Sequence, residues 1–409
     1  MGKDLNGKEL GRGITQRKDG RYMGRIHIKG SKKEITLYDR NLKVLKNKVS
    51  TYQALAGTSQ WDISMTVTEW FEQWMEIYNV PVLKATTIRN YWDGFKRVQP
   101  LIGDCRVIDI KSNNILSAIC VLKENGYAPA TIKQTFTILK VMFSMAYRVI
   151  AVLYNPCEGM RAPTERTHQE IIEREESQNL EKDVQRFLDV CRHTRYYELF
   201  YILSRTGLRI GEACALEWKD VDLERKCIYI DKTVNKVKKY YDSKGRKMES
   251  SKMVAQITSP KKQASYRIVP ISDETVNAFA AWKTKQLADK QRWGRKWGIK
   301  NELLKDFPDL IFTTSPGKTY LPGYATQECK RISDCINRRE KQMALSENRE
   351  SEFIHIHPHL FRYFYVTKCV EKGMNPVMIG KITGHAEIRM TQHYTRLSDE
   401  FILRQHEVH

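Results

Sequence analysis

Apolar positions along this 409-residue chain change their period twice, and each change marks a different kind of structure. In the stretch ITQRKDGRYMGRIHIKGSKKEITLY, residues 14 to 38, short apolar alternations are broken by Asp19-Gly20 and by Lys29-Gly30-Ser31. That pattern predicts three short strands joined by turns. Leu42, Leu45, Val49 and Tyr52 then recur at helical spacing, with Gly57 expected to stop the helix. Residues 1 to 60 therefore read as a three-stranded sheet packed on one helix.

From residue 64 to about 155 the period is helical. Thr66 and Glu69 form a capping-box pair, and Val67, Trp70, Phe71, Trp74 and Tyr78 fall on one stripe. The stripe is expected to be core rather than a base-stacking platform. A second helix should follow KATT, a third should run from Ser112 to Gly126, and a fourth should open at Pro129 and carry ILKVMFSMAYRVIAVL. Residues 156 to 176, rich in charge and proline, read as an exposed linker.

Residues 177 to 409 form the largest part, helical with a strand-rich middle. CIYIDKTVN and MVAQITSPKKQASYRIVPIS flank the polar segment NKVKKYYDSKGRKMESSK, a pattern expected of a hairpin or small sheet with an extended loop. Residues 283 to 350 are highly charged and carry little pattern, and no internal repeat recurs at a fixed period. SDEFILRQHEVH at the C-terminus, opening at Ser398, reads as an amphipathic helix that docks on a neighbouring copy or on its own domain.

Composition narrows the class. There is no run of about 18 apolar residues, so no membrane span is expected, and MGKDLNGKELGRG lacks the apolar core of a signal peptide. Nine cysteines without a CxxC pair fit a reducing cytoplasm. The chain carries 69 Lys and Arg against 48 Asp and Glu, a net charge of +21. Residues 1 to 63 alone hold 14 basic and 6 acidic side chains, a net of +8. Such an excess repels itself unless a polyanion neutralises it, which points to nucleic acid rather than to a merely solubilising surface.

Four short stretches carry candidate chemistry. They are TGLRIGE, with Arg209 and Glu212; PKKQASYRIVP, with Lys261; HPHLFRYF, with His359 and Arg362; and GHAEIRMTQHY, with His385 and Tyr394. Together and in this order they resemble the boxes of the tyrosine recombinase, or phage integrase, family. The basic start and the helical middle resemble the arm-binding and core-binding domains of conjugative-transposon integrases, so the likeness covers nearly the whole chain. It implies a multidomain, mainly α protein with small β elements: an arm-type DNA-binding domain over 1–60, a helical SAM-like core-binding domain over 64–160, and a mixed α+β catalytic domain over 177–409. Departures are Tyr363 where a histidine is usual, Lys262 where a threonine is usual, and LFR in place of an acidic residue before Leu-Arg; Lys262 is a rival for the role of Lys261.

What the resemblance implies agrees with the chemistry of a phosphodiester. Two arginines, Arg209 and Arg362, would stabilise charge growing on the phosphorane. His359 would accept the tyrosine proton, Lys261 would protonate the departing 5′-oxygen and His385 would hydrogen-bond a phosphate oxygen. Tyr394 would become a 3′-phosphotyrosine, which conserves the bond energy without ATP. Glu212 reads as an orienting group. With the arginines carrying the charge, no cofactor and no metal are expected.

The alternating His355, His357 and His359 suggest zinc at first sight, but Pro358 suits the first turn of a helix, which places His359 and Arg362 on one face and leaves His355 and His357 structural. The expected partners are double-stranded DNA at core and arm sites, a homotetramer on two duplexes, and an accessory DNA-bending or excision factor, in the cytoplasm at the nucleoid. The rivals are a type IB topoisomerase and a DNA-binding protein with inert boxes.

Overall fold

The structure, a computed structural model, describes residues 2–27, 34–58, 64–149, 151–152, 154–161, 180–260 and 265–384. They divide into two compact units, the first of residues 1–166 with 238–252, the second of 167–237 with 253–409.

The first unit begins with β1 (Gly2–Lys3) and β2 (Glu9–Gly11), an antiparallel pair. This pair is absent from the sequence expectation, because Leu10 is its only deeply buried apolar residue. The three expected strands follow as β3 (Ile14–Gln16), β4 (Tyr22–His27) and β5 (Glu34–Asp39), antiparallel with β4 in the centre. Gly20 makes the first turn at φ +80°. The helix α1 (Leu42–Thr58) runs one residue past Gly57 and buries Leu45, Val49 and Tyr52 on Ile26, Ile35 and Leu37. It lies so close to β4 that a Cβ on Gly24 would stand 2.6 Å from Val49 Cγ2.

Among the described residues four α-helices follow in this unit: α2 (Val67–Trp74), α3 (Ala85–Ile102), α4 (Ser112–Glu124) and α5 (Pro129–Arg148). The capping box is formed, with Thr66 N donating to Glu69 Oε2 at 2.8 Å and Glu69 N to Thr66 Oγ1 at 3.2 Å. Trp70, Phe71 and Trp74 are buried, and Phe71 stacks on Phe95 at 3.9 Å, so the aromatic stripe is core. The last helix is shorter than its apolar run suggests. Its C-terminal residues fold back, Ala151 N and Val152 N both donating to Ala146 O, and they bury in the helical core instead of extending the helix. Pro156 and Cys157, read as the start of an exposed linker, are buried there too, Cys157 N being held by Asn155 Oδ1.

The second unit is built on α6 (Leu180–Cys191), α7 (Tyr197–Thr206) and the short α8 (Ile210–Ala213). Next come β6 (Val221–Asp222), β7 (Cys227–Ile230), β8 (Thr233–Tyr241), β9 (Lys247–Thr258) and β10 (Arg267–Pro270). β7 pairs with β6 on one side and with β10 on the other, Ile228 facing Val269. The segment expected to be an extended loop is instead the β8–β9 hairpin. Val234, Val237, Tyr240 and Tyr241 are the buried positions of β8, and Lys236, Lys238 and Lys239 stand among them and make the stretch read as polar. Asp242 closes its turn by accepting from Lys244 N and Arg246 N, and Gly245 adopts φ +76°. The outer half of the hairpin belongs to the first unit, where the Tyr240 ring stacks on Trp92 at 5.1 Å and its hydroxyl reaches Asp93.

Among the described residues five α-helices follow: α9 (Asp273–Trp293), α10 (Leu303–Asp306), α11 (Pro322–Ser346), α12 (Pro358–Glu371) and α13 (Pro376–Thr383). The charged region around α9 and α11 buries Phe279, Trp282, Ile332 and Ile336 on α7 and its neighbours in one core. Among the described residues no helix is long and apolar enough to cross a membrane. The C-terminal segment from Ser398 lies outside the described residues.

Candidate active site

Helix α7 ends because Gly207 takes a left-handed conformation, φ +62°, and its N–H closes the last turn on Leu203 O. A side chain would be strained there, and its Cβ would also meet the Tyr365 ring at 2.4 Å. The turn delivers Arg209 to the N-terminus of α8 in an extended conformation. Glu212, one turn on, accepts from Arg209 N at 2.9 Å and from Arg209 Nη1 at 2.8 Å. The Arg209 side chain stays about one-third exposed, whereas Glu212 is buried.

Pro358 opens α12, as the sequence suggested, with His357 just before it. Arg362 lies in the second turn and is 1% exposed. Its Nη1 donates to Gly207 O at 2.8 Å and its Nη2 to Thr383 O at 2.6 Å. Those bonds fix the guanidinium plane between the TGLR turn and the end of α13. That helix starts at Pro376, capped by Asn375 Oδ1 on Val377 N, and stops at Gly384, φ +70°. Arg209 Nη2 donates to Gly384 O at 3.0 Å.

The C-terminal carbonyls of α13 are thus held in succession. Ile382 O accepts from Arg267 Nε at 2.6 Å, Thr383 O from Arg362 and Gly384 O from Arg209. Carbonyls at a helix end have no partner within the helix and carry partial negative charge, so guanidinium groups suit them. Three arginines from three separate elements converge on the residues that lead into His385.

His359 opens to solvent on the first turn of α12. Protein packed around its ring removes part of its water and lowers its pKa, and the positive charges of Arg362, His357 and Arg209 lower it further. A neutral imidazole is the form that can take a proton. The rings of His355 and His357 lie 6.1 Å apart, and among the described residues no group of three or more His, Cys, Asp or Glu is arranged to hold a metal.

Arg209, His359 and Arg362 are therefore brought together, with Glu212 behind Arg209. Lys261, its rival Lys262, His385 and Tyr394 lie outside the described residues. Lys261 falls in the chain between β9 and β10, and His385 directly follows Gly384. Sequence reasoning missed Arg267, which is 4% exposed and clasps both oxygens of Glu212, at 3.1 and 2.8 Å. The signal was present as the arginine of Ser265-Tyr266-Arg267, at the end of the PKKQASYR stretch.

Residues 179–400 match the Phage integrase family, and residues 66–119 match the N-terminal SAM-like domain of phage integrases. The chain belongs to the phage integrase family and is a DNA strand transferase of the site-specific tyrosine recombinase class. It is 25% identical over 330 residues to a XerC-like tyrosine recombinase of Caldanaerobacter subterraneus subsp. tengcongensis, covering 80% of this chain and 78% of that one. It is 25% identical over 411 residues to the transposase of transposon Tn916 from Enterococcus faecalis, covering 96% and 92%. The integrase of transposon Tn1549, solved in complex with a circular intermediate DNA, superposes with a TM-score of 0.60 at 21% identity, over 84% of this chain and 99% of that one.

Proposed function

We propose that this chain integrates or excises a mobile genetic element by cutting and rejoining DNA through Tyr394. The arginine pair carries the reading: Arg209 and Arg362 are anchored on neighbouring carbonyls immediately ahead of His385, and Tyr394 follows nine residues later. A scissile phosphate beside them meets two fixed guanidinium groups where its non-bridging oxygens gain charge. The Tyr394 oxygen attacks phosphorus while its proton passes to His359. The bond to the 5′-oxygen breaks, and Lys261 supplies the proton that this oxygen needs. His385 hydrogen-bonds the phosphate. One ester replaces another, so the reverse attack by a 5′-hydroxyl rejoins the strand without an external energy source.

Exchange between two duplexes needs four strand cleavages, hence four copies of Tyr394 and a homotetramer on the DNA. Residues 1–60 supply a second, arm-type DNA contact, consistent with their net charge of +8 through residue 63, and residues 64–160 grip the core site. An accessory bending or excision factor brings arm and core sites together, and the work takes place on cytoplasmic DNA at the nucleoid.

The test is a nicked duplex carrying a candidate element end, which loses its 5′-hydroxyl fragment on cleavage and traps the adduct. The wild type should become covalently attached, and Tyr394→Phe should bind at near wild-type affinity without attaching. An adduct from Tyr394→Phe, or none from Tyr363→Phe or Tyr365→Phe, would reassign the nucleophile. Relaxation of a plasmid with no exchange of partners would replace recombination with topoisomerase action.

A further inference from the structure

We infer that Arg267 is a positioning residue that neutralises Glu212, so that the charge of Arg209 is left for the scissile phosphate. Four observations lead there. Each Glu212 oxygen is shared, Oε1 accepting from Arg209 Nη1 and Arg267 Nη1, Oε2 from Arg209 N and Arg267 Nη2. Arg267 and Glu212 are both 4% exposed, while Arg209 is the member open to a ligand, at 37%. Arg267 also ties Ile382 O, two residues before the Gly384 carbonyl that Arg209 holds. Burial alone would raise the Glu212 pKa, yet the bonds and charge of Arg267, with Arg209 adding, bring it below the ordinary carboxylate value.

The electrostatic logic is a matter of counting. A buried carboxylate paired only with Arg209 would cancel that arginine and draw it inward, away from any phosphate. Arg267 supplies the second cation. The carboxylate then orients Arg209 through two hydrogen bonds while the cluster as a whole keeps one unit of positive charge. That charge resides on the arginine facing outward. Low dielectric around the buried pair makes the compensation strong.

The inference rests on the recombinase reading above, and its test separates the two. Covalent adduct formation is timed on a nicked duplex for wild type, Arg267→Gln, Arg267→Lys and the double variant Glu212→Gln with Arg267→Gln. No adduct from the wild type would overturn the recombinase reading and this inference with it. With an active wild type, Arg267→Gln should slow attachment by about 10²-fold, the scale of a misplaced catalytic group. Arg267→Lys, which keeps the charge but loses the fork, should fall between. The double variant should be faster than Arg267→Gln, because no carboxylate remains to cancel Arg209. A purely structural arginine predicts the opposite order, the double variant being as slow as the single or slower.

Should Arg267→Gln fail to fold, Arg267→Lys is compared with wild type on a duplex whose scissile phosphate is a methylphosphonate. That group carries no negative charge, so the deficit of the lysine variant should largely vanish. A deficit of the same size on both substrates, or no deficit on the ordinary one, would overturn the inference.

Discussion

Arg209 and Arg362 donate to adjacent carbonyls, Gly384 O at 3.0 Å and Thr383 O at 2.6 Å, although they lie on different elements 153 positions apart in the chain. Their surroundings differ more than their chemistry, Arg362 being 1% exposed and the Arg209 side chain 37%. Replacing them should therefore fail in different ways. Arg362→Ala leaves Gly207 O and Thr383 O without a buried donor, each a loss of about 1–3 kcal/mol. Arg209→Ala opens onto solvent and should cost the fold much less. Both should slow adduct formation by about 10² to 10³, as loss of a transition-state donor does. Urea unfolding beside a cleavage time course checks this, and equal destabilisation by the two variants would contradict it.

Gly207 has two separate reasons to be glycine, its φ of +62° and the Tyr365 ring against it. Gly207→Ala should lose about 1–2 kcal/mol from the left-handed backbone alone. The ring contact adds to that loss. Pairing Gly207→Ala with Tyr365→Ala should relieve the contact but leave the backbone part, which a double-mutant cycle of unfolding free energies resolves.

The grouping of Arg209 with Glu212 and of His359 with Arg362 was legible from their short spacings on helix starts, whereas His385 and Tyr394 lie outside the described residues. Element types were legible where amphipathic period and caps agree, as at Thr66 and Pro358. What escaped was long-range. Arg267 meets Glu212 across 55 positions, and the carbonyls of Ile382 to Gly384 have no side-chain signature at all. A hairpin was expected near β8 and β9, but the reach of its strands escaped for another reason: Lys236, Lys238 and Lys239 crowd β8, and so basic a strand reads as loop. The fold-back after Arg148 depends on packing onto the helical core, which an apolar run alone cannot distinguish from a longer helix.

The lowered pKa of His359 sets the pH behaviour. Burial comes first among its causes and the neighbouring positive charges follow, so the imidazole stays neutral to a lower pH than a free histidine, whose pKa is about 6.5. Adduct formation should therefore stay level through neutrality and decline only below about pH 6.5. Stability follows the same sign. The unfolded chain takes up this proton more readily, so the contribution of neutral His359 is present above the unfolded pKa and is lost as pH falls through the folded one. A pH–rate profile on a nicked duplex, with His359→Gln as the comparison, tests the assignment. An acid limb at or above pH 7 that survives in His359→Gln would assign the titration to another group.

The arm-type role proposed for the first residues makes a prediction about salt. The sheet and α1 form their own small core around Leu45 and Val49, and the Tyr52 hydroxyl meets Asp109 of the helical part, with Arg106 lying over the Tyr52 ring at 5.6 Å. Removing residues 1–58 takes away the buried side chains of that core and uncovers the surface around Arg106, Ile108 and Asp109. The truncated chain should still cleave a core-site duplex. On long element ends, however, it should bind more weakly and with a shallower dependence on salt. Each phosphate that the missing segment neutralised contributes about −0.9 to the slope of log K against log salt, so the difference in slope between full-length and truncated chains counts those contacts. A titration of both proteins over several salt concentrations measures it. Equal slopes on long ends would remove the arm contact from the proposal while leaving the chemistry at Tyr394 untouched.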